Sequence, residues 1–251
     1  MSVAKSARLP LEIIQGSVKD RYKNIQAANE KIFEQIMENP DDLSLKRLQS
    51  IAQDVFSPSN NKINVKIEEL TDRREYIRGS SDTIEENGAI IGYNIQVRSK
   101  NGQLRKDHLP VFMHEVTHVL HHLFEPKILA RELSIDKLPK KTQEQVEKYY
   151  YRVLHKIHLI NFFNPLKARL GFKIITRNLN DQTKLNILKS HRYRLQMEYL
   201  ANWETEKYEG RLVQRGISYE SGEDMDKYMF IEKLEFLDKE IKKLLEKMRN
   251  K

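Results

Sequence analysis

The chain has 251 residues, of which 39% are apolar and 32% charged, with a formal net charge of +8 and no cysteine. That length allows one large domain or a domain with a helical extension, and the lack of cysteine excludes disulfides and thiolate chemistry, so any metal must be held by histidine and carboxylate. The positive balance fits an acidic partner, but lysine and glutamate are interspersed in most segments, which favours a solvated basic surface over a nucleic-acid face.

Residues 1–16 read as a loose lead-in without the apolar core of a secretory signal, and no stretch approaches the ~18 apolar residues of a membrane span. A cytoplasmic location is expected. Export by a route needing no cleaved signal, for example into a host cell, is the alternative. From Lys19 to Glu38 the apolar set Tyr22, Ile25, Ala28, Ile32, Phe33 and Ile36 recurs at helical spacing, and Asn39-Pro40 ends the run. Asp41 or Asp42 is placed to cap a second helix through Leu45, Leu48, Ile51, Ala52, Val55 and Phe56, with a turn over residues 57–61. The period then changes to two. Ile63, Val65 and Ile67 alternate as in a strand, Tyr76-Ile77 suggests another, residues 80–87 are polar and loop-like, and Ala89 to Val97 reads as a further strand before a turn at Asn101-Gly102.

A strongly apolar helix follows, with Asp107 before it, Pro110 in its first turn and Pro126 after it. Beyond it, residues 142–163 read as a helix interrupted at Asn164-Pro165. Residues 170–176 suggest a short strand or turn. Asp181 is placed to cap a long helix to about Leu212, broken near Gly216, and residues 223–249 form an amphipathic helix. The expected fold class is α+β, mainly α: a single domain over 1–251, with N-terminal helices over 1–60, a small sheet and the apolar helix over 61–125, and a helical part over 126–251.

The apolar helix contains His114-Glu115-Val116-Thr117-His118, an H-E-x-x-H pattern. Residues four apart share one helix face, so both imidazoles can reach one ion, and Glu115 stands where a carboxylate can take a proton from metal-bound water. A third ligand must come from elsewhere. His121 is seven residues from His114, about 10.5 Å along the axis, too far for one Zn²⁺ at ~2.0–2.1 Å from each nitrogen. The metzincin pattern needs Gly and His where this chain has His121 and Phe124, which rules that family out. His155, His158 and His191 are weaker candidates on predicted helices. Glu198, in a helical stretch with Leu195, Tyr199 and Leu200, is the stronger one, and Glu204 and Glu206 are runners-up if that helix is rotated.

H-E-x-x-H followed by Glu198-Tyr199-Leu200-Ala201-Asn202, an E-x-x-A-N pattern, resembles the gluzincin zinc metallopeptidases, the thermolysin-like group. The resemblance implies a zincin-like catalytic core with Zn²⁺ held by His114, His118 and Glu198, Glu115 as general base, and Asn202 as the residue that orients His114. Two features depart from the pattern: Asn202 stands where an acid is usual, and 80 residues separate His118 from Glu198.

The expected activity is zinc-dependent hydrolysis of a peptide bond in a restricted protein target, Glu115 activating zinc-bound water. Two settings fit, a regulatory metallopeptidase or a protease effector delivered into another cell. Tyr208, Tyr219 and His191 are candidates for the second electrophile that a tetrahedral oxyanion needs. The alternative is a non-catalytic basic module with a structural or vestigial zinc site, in which Arg98-Ser99-Lys100 and Arg192-Tyr193-Arg194 contact nucleic acid or protein. No known nucleic-acid motif accompanies those runs, and a purely structural site leaves Glu115 without a duty.

Overall fold

The computed structural model describes residues 18–56, 64–70, 79–87, 89–124, 135, 137–154, 163–216 and 227–250. The fold is α+β and mainly α. Its chain divides into two compact units, Met1–Glu125 with Leu200–Ser221, and Pro126–Tyr199 with Gly222–Lys251. The lead-in over 1–16, the turn over 57–61, Tyr76-Ile77 and Pro126 lie outside the described residues.

In the first unit, helix α1 (Val18–Met37) buries Tyr22, Ile25, Ile32, Phe33 and Ile36, the three-to-four spacing read in the sequence. Helix α2 (Leu45–Phe56) buries Leu48, Ile51, Ala52, Val55 and Phe56. Its cap is Ser44 rather than Asp41 or Asp42. The Ser44 hydroxyl accepts from the Arg47 amide at 3.4 Å, and the Asp42 carboxylate accepts from the Ser44 amide at 3.1 Å. The helix starts at Leu45, so only the residue just before it reaches the third helical amide, and the aspartate closes the turn that precedes it.

Strands β1 (Asn64–Glu69), β2 (Gly79–Glu86) and β3 (Ala89–Val97) form a sheet of order β1-β3-β2, with β1 parallel and β2 antiparallel to β3. Val65 pairs with Tyr93 and Ile67 with Ile95, all four buried, so the alternation seen in sequence is the core-facing side of the sheet. The backbone amides of Val65 and Ile67 donate to Gln53 and Gln49 of α2 at 2.9 and 3.2 Å, which covers that side of β1. Residues 80–87, expected as a loop, are strand β2 over all but the last position. Its side chains are half-buried or exposed and show no apolar alternation. The ladder to β3 makes it a strand, and a ladder leaves no mark on composition.

A short hairpin, β4 (Ser99–Lys100) and β5 (Gln103–Leu104), turns at Asn101 and Gly102, both at positive φ (55° and 72°), the pair that a two-residue I′ turn requires. A 3₁₀ turn (Lys106–His108) leads into α3 (Leu109–Phe124), which carries the H-E-x-x-H segment and has Pro110 in its first turn. Asp107 is engaged by the guanidinium of Arg105. Phe112, Met113, Val116, Val119 and Leu120 pack α3 into a core shared with α1, α2, the sheet, and Tyr208 and Leu212.

In the second unit, α4 (Lys140–Tyr149) runs into a π-helical turn (Tyr150–Leu154), and residues 155–162 lie outside the described residues. Helix α5 (Pro165–Ile175) stands where a short strand or turn was expected at residues 170–176. Asn164 caps it by accepting from the Lys167 amide at 3.0 Å, and Pro165 takes its first position. Apolar residues on opposite faces hid its period: Ala168 is buried, while Leu166, Leu170 and Ile174 are 67%, 60% and 67% exposed. Helix α6 (Asp181–Gln214), whose residues from Leu200 on belong to the first unit, is capped by Asn180, whose side chain accepts from the Thr183 amide at 2.8 Å, and not by Asp181. Helix α7 (Lys227–Arg249) buries Phe230, Leu234, Phe236 and Leu237, with Asp238 paired to Arg192 and Glu240 to Arg169. Among the described residues, no helix is long and apolar enough to cross a membrane.

Candidate metal centre

One turn of α3 separates His114 from His118, and their Nε2 atoms stand 3.0 Å apart, the rings edge-to-face with centroids at 4.7 Å. Two nitrogens at ~2.0–2.1 Å from one tetrahedral ion stand about 3.3–3.4 Å apart, so the pair lies within a few tenths of an ångström of a shared ion's geometry. The third member is Glu198 on α6. One ligand atom from each of His114, His118 and Glu198 lies within 4.8 Å of the others, and all three side chains are half-buried. Among the described residues this is the one such group of three His, Asp or Glu side chains. Two imidazoles and one carboxylate are a donor set that could hold a metal ion such as zinc.

Glu115, next to His114 in the chain, is 8% exposed. The hydroxyl of Ser81 donates to its Oε2 at 3.0 Å. Strand β2 passes close by: a Cβ on Gly79 would lie 3.0 Å from Cγ and Oε1 of Glu115 and 2.9 Å from Val111. Glycine there lets the strand lie against α3. Gly79 and Ser81 were missed in the sequence because residues 80–87 carry no strand pattern, although a Gly-Ser-Ser run is itself a hint of close backbone approach.

His121 and His122 stay out of the group, as the axial distance requires. His121 is 2% exposed, and burial, with the neighbouring His118 and His122, lowers its pKa to about 3, so the ring is neutral. His191 is fully buried between Tyr149 and Tyr150, with ring centroids 5.8 and 5.2 Å away. Burial, with Arg194, lowers its pKa to about 3. It is an aromatic-core histidine of the second unit. Tyr208 is also fully buried, stacked on Phe33 at 4.6 Å, and burial, followed by the charge of Glu204, raises its phenol well above the usual range. It lies ten residues from Glu198, about 15 Å along α6. Tyr219, His155 and His158 fall outside the described residues. Asn202 is half-buried one turn beyond Glu198 on the same helix.

Beside Glu198, one turn back on α6, Arg194 pairs with Glu147 at 2.7 Å, lies 4.0 Å over the Tyr150 ring and donates to the Tyr151 hydroxyl at 3.2 Å. Burial opposes its charge, but Tyr150 and Glu147 outweigh it and raise its pKa. Burial also raises the Tyr151 phenol, with Glu147 and Glu198 adding to the rise and Arg194 opposing it, so this tyrosine shares the field of the Glu198 carboxylate. Tyr151 sits in the π turn, a local irregularity with no sequence period. Arg192 is bonded to Asp238, so both arginines of the basic run Arg192-Tyr193-Arg194 are engaged within the protein.

No family model, curated protein or solved structure matches the chain.

Proposed function

We propose that the protein is a zinc-dependent endopeptidase of the gluzincin type, acting on a restricted protein target. The observation that carries this reading is the trio: two imidazole nitrogens 3.0 Å apart and the Glu198 carboxylate, all ligand atoms within 4.8 Å, with the general-base candidate Glu115 next to His114 in sequence. His114, His118 and Glu198 would hold Zn²⁺, which would polarise a carbonyl and lower the pKa of water towards ~7. Glu115 takes the proton of the attacking water and passes it to the leaving amine. Ser81, bonded to one carboxylate oxygen, fixes the direction in which the other faces. A peptide is the favoured substrate because β2 is an edge strand among the described residues, and its first residues lie against Glu115. An extended chain pairing with that edge would run beside the base.

The test uses purified full-length protein and Glu115→Gln. Both should carry one zinc per chain. Wild type should generate new N-termini in a proteome digest, and Glu115→Gln should generate almost none, since the amide keeps the volume but cannot accept the proton. Full activity in the variant would remove Glu115 as the base. Wild type that takes up no zinc would remove the metallopeptidase reading altogether.

A further inference from the structure

Glu204 is fully buried, six residues beyond Glu198 and so about 9 Å further along α6. Two donors from α1 converge on one of its oxygens, the Tyr22 hydroxyl at 2.9 Å and the Gln26 amide at 3.0 Å. Two turns along the same stripe of α1, fully buried Asn29 donates to the Thr117 hydroxyl at 2.9 Å, and Thr117 donates to the Met113 carbonyl at 2.8 Å. Thr117 is the residue immediately before His118. One helix, α1, is therefore bonded by buried side chains both to the helix of the histidine pair and to the helix that carries Glu198.

We propose that Glu204 is a positioning residue: held by Tyr22 and Gln26, it sets the register of α6 so that Glu198 meets the histidine pair. This rests on the trio being a metal site. A buried carboxylate is expensive, and a leucine of similar size would fill the space without that cost. What the carboxylate adds is registry. Apolar contacts tolerate sliding, whereas two donors meeting at one oxygen do not, and fixing register is the best-attested use of buried polar groups. The requirement is real here, because a slip of one residue moves a helix by 1.5 Å and turns it by ~100°, while metal–ligand bonds tolerate about ±0.2 Å. Other ties between α1 and this half of α6 include the apolar Phe33–Tyr208 stack, which tolerates sliding, and the ion pairs of Lys207 and Arg211 with Glu30 and of Arg211 with Glu34, whose partly exposed side chains hold register weakly. Glu204 itself faces α1 and is not a ligand.

The test compares wild type, Glu204→Leu, Glu204→Gln and Tyr22→Phe by zinc affinity in chelator competition, by the visible spectrum of the cobalt-loaded protein, and by thermal unfolding of the metal-free form. Glu204→Leu should fold, bind zinc about 10–100-fold more weakly, as second-layer changes at metal sites do, and show an altered cobalt spectrum. Glu204→Gln keeps an oxygen for both donors and should restore both readings. If Glu204→Leu does not fold, Tyr22→Phe carries the comparison, with a several-fold weaker affinity expected. Wild-type affinity and spectrum in Glu204→Leu, or in Tyr22→Phe when the leucine variant is unfolded, would overturn the inference while leaving the metal site intact. Wild-type protein that binds neither metal would instead overturn the metal-site reading, and this inference with it.

Discussion

Four side chains carry the proposed chemistry, His114, His118 and Glu198 as ligands and Glu115 as base, and they differ in how much each loss should cost. Glu198 is the one anionic member of the trio. Glu198→Ala leaves two imidazoles and solvent around an ion, and zinc retention after dialysis against a weak chelator should fall by orders of magnitude. Asn202→Ala should fall between Glu198→Ala and wild type, about 10–100-fold in affinity or activity, if its amide oxygen orients a ligating imidazole. Stoichiometric zinc in dialysed Glu198→Ala would move the third ligand elsewhere, with His155 and His158 next to be tested. Glu204 sat beside Glu198 in the sequence reading as a runner-up ligand. Its complete burial and its two donors from α1 give it a different duty, which a helical-wheel argument cannot assign because the wheel does not say which neighbour each face meets.

At the scale of elements, the seating of β2 on α3 is the feature most open to test. Gly79→Ala puts a methyl group 2.9 Å from Val111 and 3.0 Å from the Glu115 side chain. Overpacking of this kind typically costs about 1–3 kcal/mol. The chemical denaturation midpoint of Gly79→Ala should drop accordingly. Peptidase activity should drop more than stability, since the displaced atoms include those of the base. An alanine variant with unchanged stability and activity would show that β2 does not bear on Glu115. The misread elements share one cause. Strand β2 and helix α5 are defined by a backbone ladder and by a cap, while their side chains are polar or apolar on both faces, so hydrophobic periodicity carries little information about either.

For the whole molecule, pH should act through buried histidine. His191 is neutral in the folded second unit, its pKa lowered to about 3 by burial and Arg194, and it titrates near 6.5 when unfolded. Below pH ~6.5 the unfolded chain binds a proton that the folded chain does not. Stability is therefore lost as pH falls from about 6.5 towards 3, at about 1.4 kcal/mol per pH unit for this group. His121, also lowered to about 3, adds a similar slope in the first unit. Glu30 acts in a lower window: burial raises its pKa, but Lys207 and Arg211 outweigh that and lower it below 4.5, so its contribution is lost only as pH falls below about 4.5. Urea midpoints of metal-free wild type should stay level between pH 7.5 and about 6.5 and fall from there to pH 5, less steeply in His191→Leu. Parallel pH profiles for the two proteins would show that His191 is not the titrating group.

The amino-acid order alone determined what depends on bonds between near neighbours. His114 and His118 share a helix face because 3.6 residues make a turn. Asn101-Gly102 turns because both positions take positive φ, and the heptad-like apolar spacing of α1 and α2 marks their buried sides. Only the tertiary structure decided the rest. Whether Glu198, 80 residues beyond His118, comes near the pair is decided by packing between segments distant in the chain. The same long-range packing makes His191 and Tyr208 core residues, turns Glu204 towards α1 and brings Ser81 to Glu115, because burial belongs to the surroundings a side chain meets and not to the side chain itself.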